Sequence, residues 1–170
     1  GRVDVGFLGA AQLDRYGNLN STVIGPYEVP TTRLPGAGGA TEIAAHARQT
    51  FVMIKATPRS LVAQLDFRTS AGFLEGHGSR ERTAMRGAGP RAVITDFGML
   101  TPEAGSDELV LSALFPGATA EEARAATGWP LRVATAIEAI APPTSSELDT
   151  LRALHARTRE AHARPVRVPA

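Results

Sequence analysis

The sequence predicts an α/β fold built on an open, largely parallel sheet. Short apolar runs, rich in β-branched residues and bounded by glycine or proline, recur along the chain, and helix-like segments lie between some of them. This alternation is typical of α/β sheets with a parallel centre, which bind ligands at the carboxyl ends of their strands. The predicted strands are Val3–Leu8, Thr50–Ile54, Ala92–Thr95, Leu109–Leu114 and Leu131–Val133.

Three segments predict helices. The first, Thr41–Arg48, follows a glycine cluster. The second carries a capping box, because Thr119 precedes the helix and Glu122 stands three residues further on. The third begins at Ser145 and places leucines at positions i, i+3 and i+6, which form one apolar face.

Composition limits the classes of protein. The chain has 170 residues, with 18 Lys+Arg, 17 Asp+Glu and no cysteine. This length corresponds to one domain, which we assign to residues 1–156, and we expect the Arg- and Pro-rich segment 157–170 to fray. The absence of cysteine excludes disulfides, thiolate metal sites and a cysteine nucleophile. The balanced charge disfavours nucleic acid and anionic membranes as partners, so we expect a soluble, cytoplasmic protein.

A glycine-rich loop is the sharpest local feature. Gly36, Gly38 and Gly39 run directly into the first predicted helix. Glycines there let backbone N–H groups approach an anion or a developing oxyanion, such as that of a phosphate, thioester or carboxylate. The alternative is a tight loop that binds nothing. A dinucleotide fingerprint fits poorly, since Thr41 stands at the third glycine position, and no Walker sequence occurs.

A second group of polar residues follows the first predicted strand. Gln12 and Asn18 offer amide donors and acceptors where that strand leaves the core. The alternative is that Asp14–Asn18 is only a turn. Glu75 with His77 is a weaker candidate for an acid, a base or a metal ligand, and the alternative is a solvated glycine loop. Arg80 or Arg82 is a weaker candidate for an anion clamp, and the alternative is a solvated charge run. No metal-ligand spacing and no serine nucleophile elbow occurs.

The order of several longer motifs carries a family resemblance. From residue 3 to about residue 154, the chain resembles the small (B) subunit of family I CoA-transferases, and it looks most similar to the glutaconate branch, with the 3-oxoacid and 3-oxoadipate enzymes as relatives. The motifs are, in order, GFLGAAQLDRYGNLNST, RLPGAGGATEIA, SRERTAMRGAGPRAVITDFGML, ATGWPLRV and PPTSSELDTLRAL.

The resemblance implies a fold and a reaction. The fold would be the open α/β fold of the family, and the enzyme, a complex of A and B subunits, would move CoA between an acyl-CoA and a free carboxylate through a glutamyl-CoA thioester. CoA would be a substrate, with no permanent cofactor and no metal. The loop Gly36–Gly39 matches the family's G-x-G-G loop beside the thioester, and Lys55 and Arg59 are weaker candidates for CoA binding.

One departure concerns the nucleophile. In the family, the nucleophilic glutamate lies in an E-S-G or E-N-G turn before the L-G-A-x-Q segment, and Glu28, Glu42 and Glu75 do not match that motif. We therefore expect an N-terminally truncated subunit, inactive alone, whose nucleophile lies upstream of Gly1 or on another chain. Two alternatives stay open: an acyl-CoA decarboxylase or ring-opening hydrolase on the same scaffold, and a non-catalytic module that binds an A subunit or CoA.

Overall fold

The computed structural model describes residues 2–163 and divides into two compact units, which meet between Ile140 and Ala141 in the sequence. Among the described residues, the first unit contains ten strands and two helices, and the second contains one helix. The strands are β1 Val5–Leu8, β2 Gln12–Leu13, β3 Leu19–Asn20, β4 Val23–Ile24, β5 Thr32–Arg33, β6 Gln49–Met53, β7 Pro90–Ile94, β8 Gly98–Pro102, β9 Leu109–Leu114 and β10 Val133–Ala139. The helices are α1 Ala40–His46, α2 Ala120–Ala125 and α3 Ser145–Ala163.

Six strands form the main sheet, in the order β1-β6-β7-β8-β9-β10. The pairs β1–β6, β6–β7 and β9–β10 are parallel, and β8 runs antiparallel to both of its neighbours. The sheet is therefore mostly parallel, which confirms the predicted α/β class. Two short antiparallel hairpins, β2–β3 and β4–β5, occupy the long connection between β1 and α1.

The hairpin strands β2 to β5 were not predicted, and strands β1, β6 and β7 are shifted by one or two residues from the predicted bounds. Three further differences concern the main sheet and α1. Strand β8 was not predicted, because it begins at Gly98 and ends at Pro102, two residue types that usually bound a strand. A turn closed by the Thr95 hydroxyl, which donates to the Gly98 carbonyl, folds β8 back against β7. Strand β10 begins at Val133, where the predicted strand ended. Helix α1 begins at Ala40, one residue before the predicted start, and ends at His46, two residues before the predicted end. The capping box at Thr119 is confirmed.

The hydrophobic core lies on one face of the sheet. Helices α1 and α2 bury Ala44 and Ala123 against strand residues that include Leu8, Val52 and Leu111. Gly6 permits this packing, because a Cβ atom there would lie 2.3 Å from the Ile43 Cγ2 atom of α1. The close approach of helix and sheet therefore depends on a residue without a side chain.

Helix α3 has a capping box of its own. The Thr144 hydroxyl accepts from the Glu147 N–H, and the Glu147 carboxylate accepts from the Thr144 N–H. The helix continues through residues 157–163, so this part of the expected fraying tail is helical, since it is made of good helix formers such as Ala, Arg and Glu. Residues 164–170 lie outside the described residues. Within residues 2–163, no helix is long and apolar enough to cross a membrane.

Candidate active site

Topology brings several predicted residues to one edge of the sheet. Strands β1 and β6 are parallel neighbours, and α1 lies between them in the chain. A helix that joins two parallel strands runs back along the sheet, so the amino end of α1 lies at the edge where both strands end. The glycine loop and the segments after Leu8 and Met53 therefore share the carboxyl edge, which is where an α/β sheet binds its ligand.

The glycine loop is open. Gly36 and Gly38 adopt φ angles of 92° and 49°, a region that favours glycine, and Gly39 caps α1 with a φ of −87°. A Cβ atom at any of these three positions would meet no atom within 4 Å. The N–H groups of Gly38 and Gly39 have no acceptor in the described part of the chain. The loop therefore presents two donors to open space.

The loop is held at its base by hydroxyl residues. The Gly36 N–H donates to the Ser21 carbonyl at 2.8 Å, and the Ser21 hydroxyl donates to the Gly36 carbonyl at 3.0 Å. Thr69 accepts at its carbonyl from the Thr41 hydroxyl at 3.2 Å, and its own hydroxyl accepts from the Ser21 N–H. Ser21 and Thr69 are supporting residues that the sequence did not reveal, because they are far from each other and from the loop in the chain.

Gln12 is buried, and both ends of its side-chain amide form hydrogen bonds within the protein. Its Nε2 donates to the Asp66 carboxylate at 3.0 Å, and its Oε1 accepts from the Asn20 amide at 2.7 Å and from the Asp66 N–H at 3.1 Å. The Asp66 carboxylate also accepts from the Gly25 N–H. Gln12 thus joins the hairpin β2–β3 to the distant segment that carries Asp66, and its predicted contact with a ligand remains a prediction.

Asn18 is almost completely buried and makes a hydrogen bond through every group of its side chain. Its Nδ2 donates to Asp14 and to the Leu74 carbonyl, and its Oδ1 accepts from the N–H groups of Gly72 and Leu74. Asp14 also accepts from the N–H groups of Tyr16 and Asn18. Burial raises the pKa of Asp14, and these hydrogen bonds oppose that rise. The geometry supports the turn alternative for residues 14–18.

Lys55 and Arg59 follow β6 and are both exposed. They therefore lie in the chain just after the carboxyl edge, and neither forms an ion pair with any residue between 2 and 163. The segment that carries them is anchored, because the Ala56 N–H donates to the Asp96 carboxylate, which follows β7, at 2.7 Å. The two cations thus extend into solvent from a fixed backbone.

The three glutamates that do not match the nucleophile motif have ordinary surface settings. Glu42 lies in the first turn of α1 and pairs with His46 at 3.7 Å. Glu75 pairs with Arg68 at 2.9 Å, and Glu28 is exposed. No cluster of three or more metal-ligating side chains occurs among the described residues.

Arg80 has a role that neither sequence-based interpretation anticipated. Arg80 is 2% exposed, and its side chain donates to backbone carbonyls: Nε to Gly87 at 2.9 Å, Nη1 to Gly72 at 2.7 Å and Nη2 to Ala44 at 2.7 Å. Longer contacts of 3.3 Å reach Ala71 and Ala45. Arg80 is therefore neither an anion clamp nor part of a solvated charge run: it binds the carboxyl end of α1 to two loops.

Comparison with known proteins identifies the family. Residues 1–125 match the model of the coenzyme A transferase family. The chain belongs to this family. It is 51% identical over 162 residues to the B subunit of 3-oxoadipate CoA-transferase from Pseudomonas knackmussii, and 40% identical over 139 residues to the B subunit of glutaconate CoA-transferase from Acidaminococcus fermentans.

Solved structures agree with this membership. The crystal structure of glutaconate coenzyme A-transferase from Acidaminococcus fermentans superposes with a TM-score of 0.81 at 36% identity and covers 87% of this chain. The decarboxylase AibA/AibB superposes with a TM-score of 0.73 at 28% identity and covers 90% of this chain. The fold predicted from the family resemblance is thus confirmed.

The relatives are longer than this chain. The chain spans 62% of the 3-oxoadipate relative and 52% of the glutaconate relative, and 56% of the glutaconate coenzyme A-transferase chain in the crystal structure. The two alignments include 95% and 81% of this chain.

Proposed function

We propose that this chain is part of the B subunit of a CoA-transferase, which works with an A subunit to move CoA between an acyl-CoA and a free carboxylate. The observation that carries the proposal is the open glycine loop, with its two unpartnered donors, at the ligand-binding edge of a coenzyme A transferase fold. The relatives named for 3-oxoadipate and glutaconate favour a dicarboxylate as the substrate class.

In this proposal, the glycine loop stabilises negative charge on the thioester oxygen. Attack on a thioester carbonyl moves an electron pair onto its oxygen, and preorganised N–H donors stabilise that charge more strongly than they stabilise the neutral carbonyl. Gly38 and Gly39 supply two such donors, with room around them because no Cβ is present. The Ser21 and Thr69 hydrogen bonds keep the donors in place before the substrate arrives.

The nucleophile lies outside these 170 residues, in the remainder of the polypeptide or on another chain. Its glutamate carboxylate attacks the thioester carbon, the C–S bond breaks, and CoA leaves as a thiolate. The thiolate then attacks the glutamyl carbonyl of the resulting anhydride, which releases the first carboxylate and forms the glutamyl-CoA thioester. The acceptor carboxylate reverses these steps and leaves as the new acyl-CoA.

CoA is a substrate in this scheme and carries phosphate groups, which need cationic partners. Lys55 and Arg59 meet that need, because both are exposed, lack ion-pair partners among the described residues and follow a strand end at the candidate site. An exposed cation near phosphate strengthens binding without taking part in the chemical step, so its loss raises KM for the acyl-CoA rather than lowering kcat.

The test uses the complete open reading frame, co-expressed with its A subunit. Transfer of CoA from a set of short acyl-CoA donors to 3-oxoadipate or glutaconate is followed by chromatography of the acyl-CoA products. Gly38→Ala is compared with Gly105→Ala, since both glycines have positive φ angles of 49° and 86° and open surroundings, but Gly105 follows β8 at the opposite edge of the sheet. Both variants place an alanine at a positive φ angle, which favours glycine.

We expect Gly38→Ala to lower kcat/KM at least tenfold and Gly105→Ala to leave it nearly unchanged. Equal effects of the two variants would remove the loop from the mechanism. Release of carbon dioxide from an acyl-CoA without transfer would replace the proposal with decarboxylation, the reaction in the name of the AibA/AibB relative. Hydrolysis alone, or no turnover at all in the assembled complex, would also overturn it.

A further inference from the structure

Arg33, the last residue of β5, is held in a stack of planar side chains. Its guanidinium carbon lies 5.0 Å from the centroid of the Tyr27 ring, and its Nη2 donates to the Tyr27 carbonyl at 3.2 Å. The Tyr27 ring in turn stacks on the Phe67 ring, with the two centroids 5.3 Å apart and an angle of 25° between the planes. Because a cation is attracted to the face of an aromatic ring, the guanidinium has a preferred position before any ligand binds.

This stack is joined to the glycine loop at two places. Along the chain, Arg33 precedes Gly38 by five residues, and five residues span at most about 18 Å. Across the fold, Phe67 precedes Thr69 by two residues, and the Thr69 hydroxyl accepts from the N–H of Ser21, the residue that holds the base of the loop. The guanidinium and the free N–H donors of the loop therefore belong to one connected region.

Arg33 carries a cation without a carboxylate partner in the structure. The residue is exposed, and it forms no ion pair with any residue between 2 and 163. The hydrogen bond to Tyr27 uses one of the five N–H groups of the guanidinium, and the others have no acceptor in that part of the chain. Two parallel N–H groups of a guanidinium match the two oxygens of a carboxylate. The side chain is thus suited to bind a carboxylate that comes from outside the described residues.

The proposed reaction brings such a carboxylate to the site, and this step of the argument rests on the proposed function, with dicarboxylates as substrates. Transfer of CoA converts one carboxylate of the acceptor into a thioester, whereas the second carboxylate takes no part and keeps its charge. A carboxylate that leaves water needs a charged or hydrogen-bonding partner, because burying it without one is costly. When the reacting carbonyl lies at the glycine loop, the cation nearest to that loop in the chain is Arg33.

We propose that Arg33 binds the unreacted carboxylate of the substrate and thereby makes the site selective for dicarboxylates, with Tyr27 as a positioning residue for the guanidinium. A phosphate of CoA is the other anion that such a cation can bind. The carboxylate is favoured because it lies only a few bonds from the reacting carbon, whereas the whole pantetheine arm separates the phosphates of CoA from its sulfur.

The test compares acceptors that carry either a carboxylate or a methyl group at the far end. The pairs are 3-oxoadipate with 3-oxohexanoate and glutaconate with 2-pentenoate, and the donor is acetyl-CoA, whose acyl group has no carboxylate. The assays use the complete polypeptide in complex with its A subunit. Arg33→Met removes the cation. Arg91→Met is the matched control, since Arg91 is exposed, forms no ion pair among residues 2–163 and lies at the amino end of β7.

We expect Arg33→Met to lower kcat/KM for the dicarboxylates about twentyfold, mainly through KM, because it removes one partner of a charge pair. The values for the monocarboxylates and the KM for acetyl-CoA should change less than about twofold, and Arg91→Met should leave every value nearly unchanged. Tyr27→Leu should lose part of the same selectivity, and Tyr27→Phe should retain it, because phenylalanine keeps a ring beneath the guanidinium. Equal losses for both kinds of acceptor would show a merely structural role and overturn the proposal.

A binding measurement separates this proposal from the proposed function. The thioethers S-(5-carboxypentyl)-CoA and S-hexyl-CoA cannot transfer CoA, and they differ only in a terminal carboxylate or methyl group. Each is titrated calorimetrically into the complex. We expect Arg33→Met to weaken binding of the carboxylate analogue about tenfold and to leave binding of the hexyl analogue nearly unchanged. This result would support the carboxylate site even if the complex transferred no CoA, in which case only the proposed function would fail. Equal weakening of both analogues would assign Arg33 to a phosphate of CoA, and no weakening of either would show that it binds neither anion; both results overturn the proposal.

Discussion

Replacing Arg80 with methionine tests how the scaffold holds α1. Methionine keeps most of the apolar length of the side chain and removes the guanidinium. The structure shows three short hydrogen bonds of 2.7, 2.7 and 2.9 Å to the carbonyls of Ala44, Gly72 and Gly87, which come from three different segments. All three carbonyls lose a partner at once, so a helix end and two loops are affected together.

The magnitude follows from these contacts. A hydrogen bond to a charged group contributes about 1.5–3 kcal/mol, which gives a gross value of about 4.5–9 kcal/mol for three. Burying the guanidinium opposes this gain, as the lowered pKa of Arg80 also indicates, since burial disfavours the charged form. We expect Arg80→Met to lower the free energy of unfolding by about 3–5 kcal/mol, a large share of the roughly 5–15 kcal/mol typical of a domain.

Urea unfolding measures this loss. With an m-value of about 2 kcal/mol per molar, the expected change lowers the midpoint by about 1.5–2.5 M. The fluorescence of Trp129, which is 3% exposed and the only tryptophan in the 170 residues, reports the unfolding of the core. Arg82→Met is the control, because Arg82 is exposed and, among residues 2–163, donates only to the His77 carbonyl. It should change the midpoint by less than about 0.3 M.

Arg80→Lys separates charge from geometry. A lysine keeps the charge, but its single ammonium group cannot reach carbonyls in three segments at once. We expect it to recover less than half of the lost free energy. A shift for Arg80→Met no larger than that of Arg82→Met would refute the structural role, and full recovery by lysine would show that charge alone matters.

Three further predictions follow from the packing and the buried polar groups. Gly6→Ala should lower the free energy of unfolding by about 1–3 kcal/mol, because its Cβ overlaps Ile43. In urea unfolding, the double variant Gly6→Ala with Ile43→Ala should lose less stability than the sum of the two single variants, because Ile43→Ala removes the overlap. Asn18→Asp should lower the free energy of unfolding, measured by thermal unfolding, by about 3 kcal/mol or more. The reason is that the substitution places a carboxylate against the Asp14 carboxylate and the Leu74 carbonyl. Burial raises the pKa of Asp14 in the folded state above its ordinary value of about 4. The stability that this shift contributes is therefore complete at a pH below about 4, and it is lost as the pH rises through the raised pKa. The stability of wild type relative to Asp14→Asn should therefore fall as the pH rises above about 4, and a difference that stays constant with pH would contradict this reasoning.

The local parts of the fold were predictable because each depends on residues close together in the chain. The capping box of α2 joins Thr119 to Glu122, three residues apart, and the structure confirms it. Strand β9 begins at Leu109 and ends at Leu114 as predicted, since a continuous apolar run marks a buried strand. The glycines at 36, 38 and 39 were recognised because they precede a helix, and Gly36 and Gly38 do adopt left-handed conformations.

Long-range contacts decided the roles of the polar residues. Asn18 was a candidate ligand-binding residue, but its side-chain oxygen Oδ1 accepts from the N–H groups of Gly72 and Leu74, which are 54 and 56 residues away. Nothing within a few residues of Asn18 signals those partners. Arg80 stands in a highly charged stretch that suggests solvent exposure, and yet its guanidinium donates to Ala44 and Ala45, 36 and 35 residues earlier.

Periodicity and turn chemistry were enough to predict the fold class and the glycine loop, because both are properties of neighbouring residues. The order of the motifs along the chain was enough to predict the family. Tertiary contacts were needed to learn which polar groups are occupied, which face of the sheet is bare, and that β8 reverses the strand direction. These depend on which segments meet across the sheet. A hydrogen-bond donor is free or engaged according to acceptors that lie far away in the chain, and no local pattern specifies them.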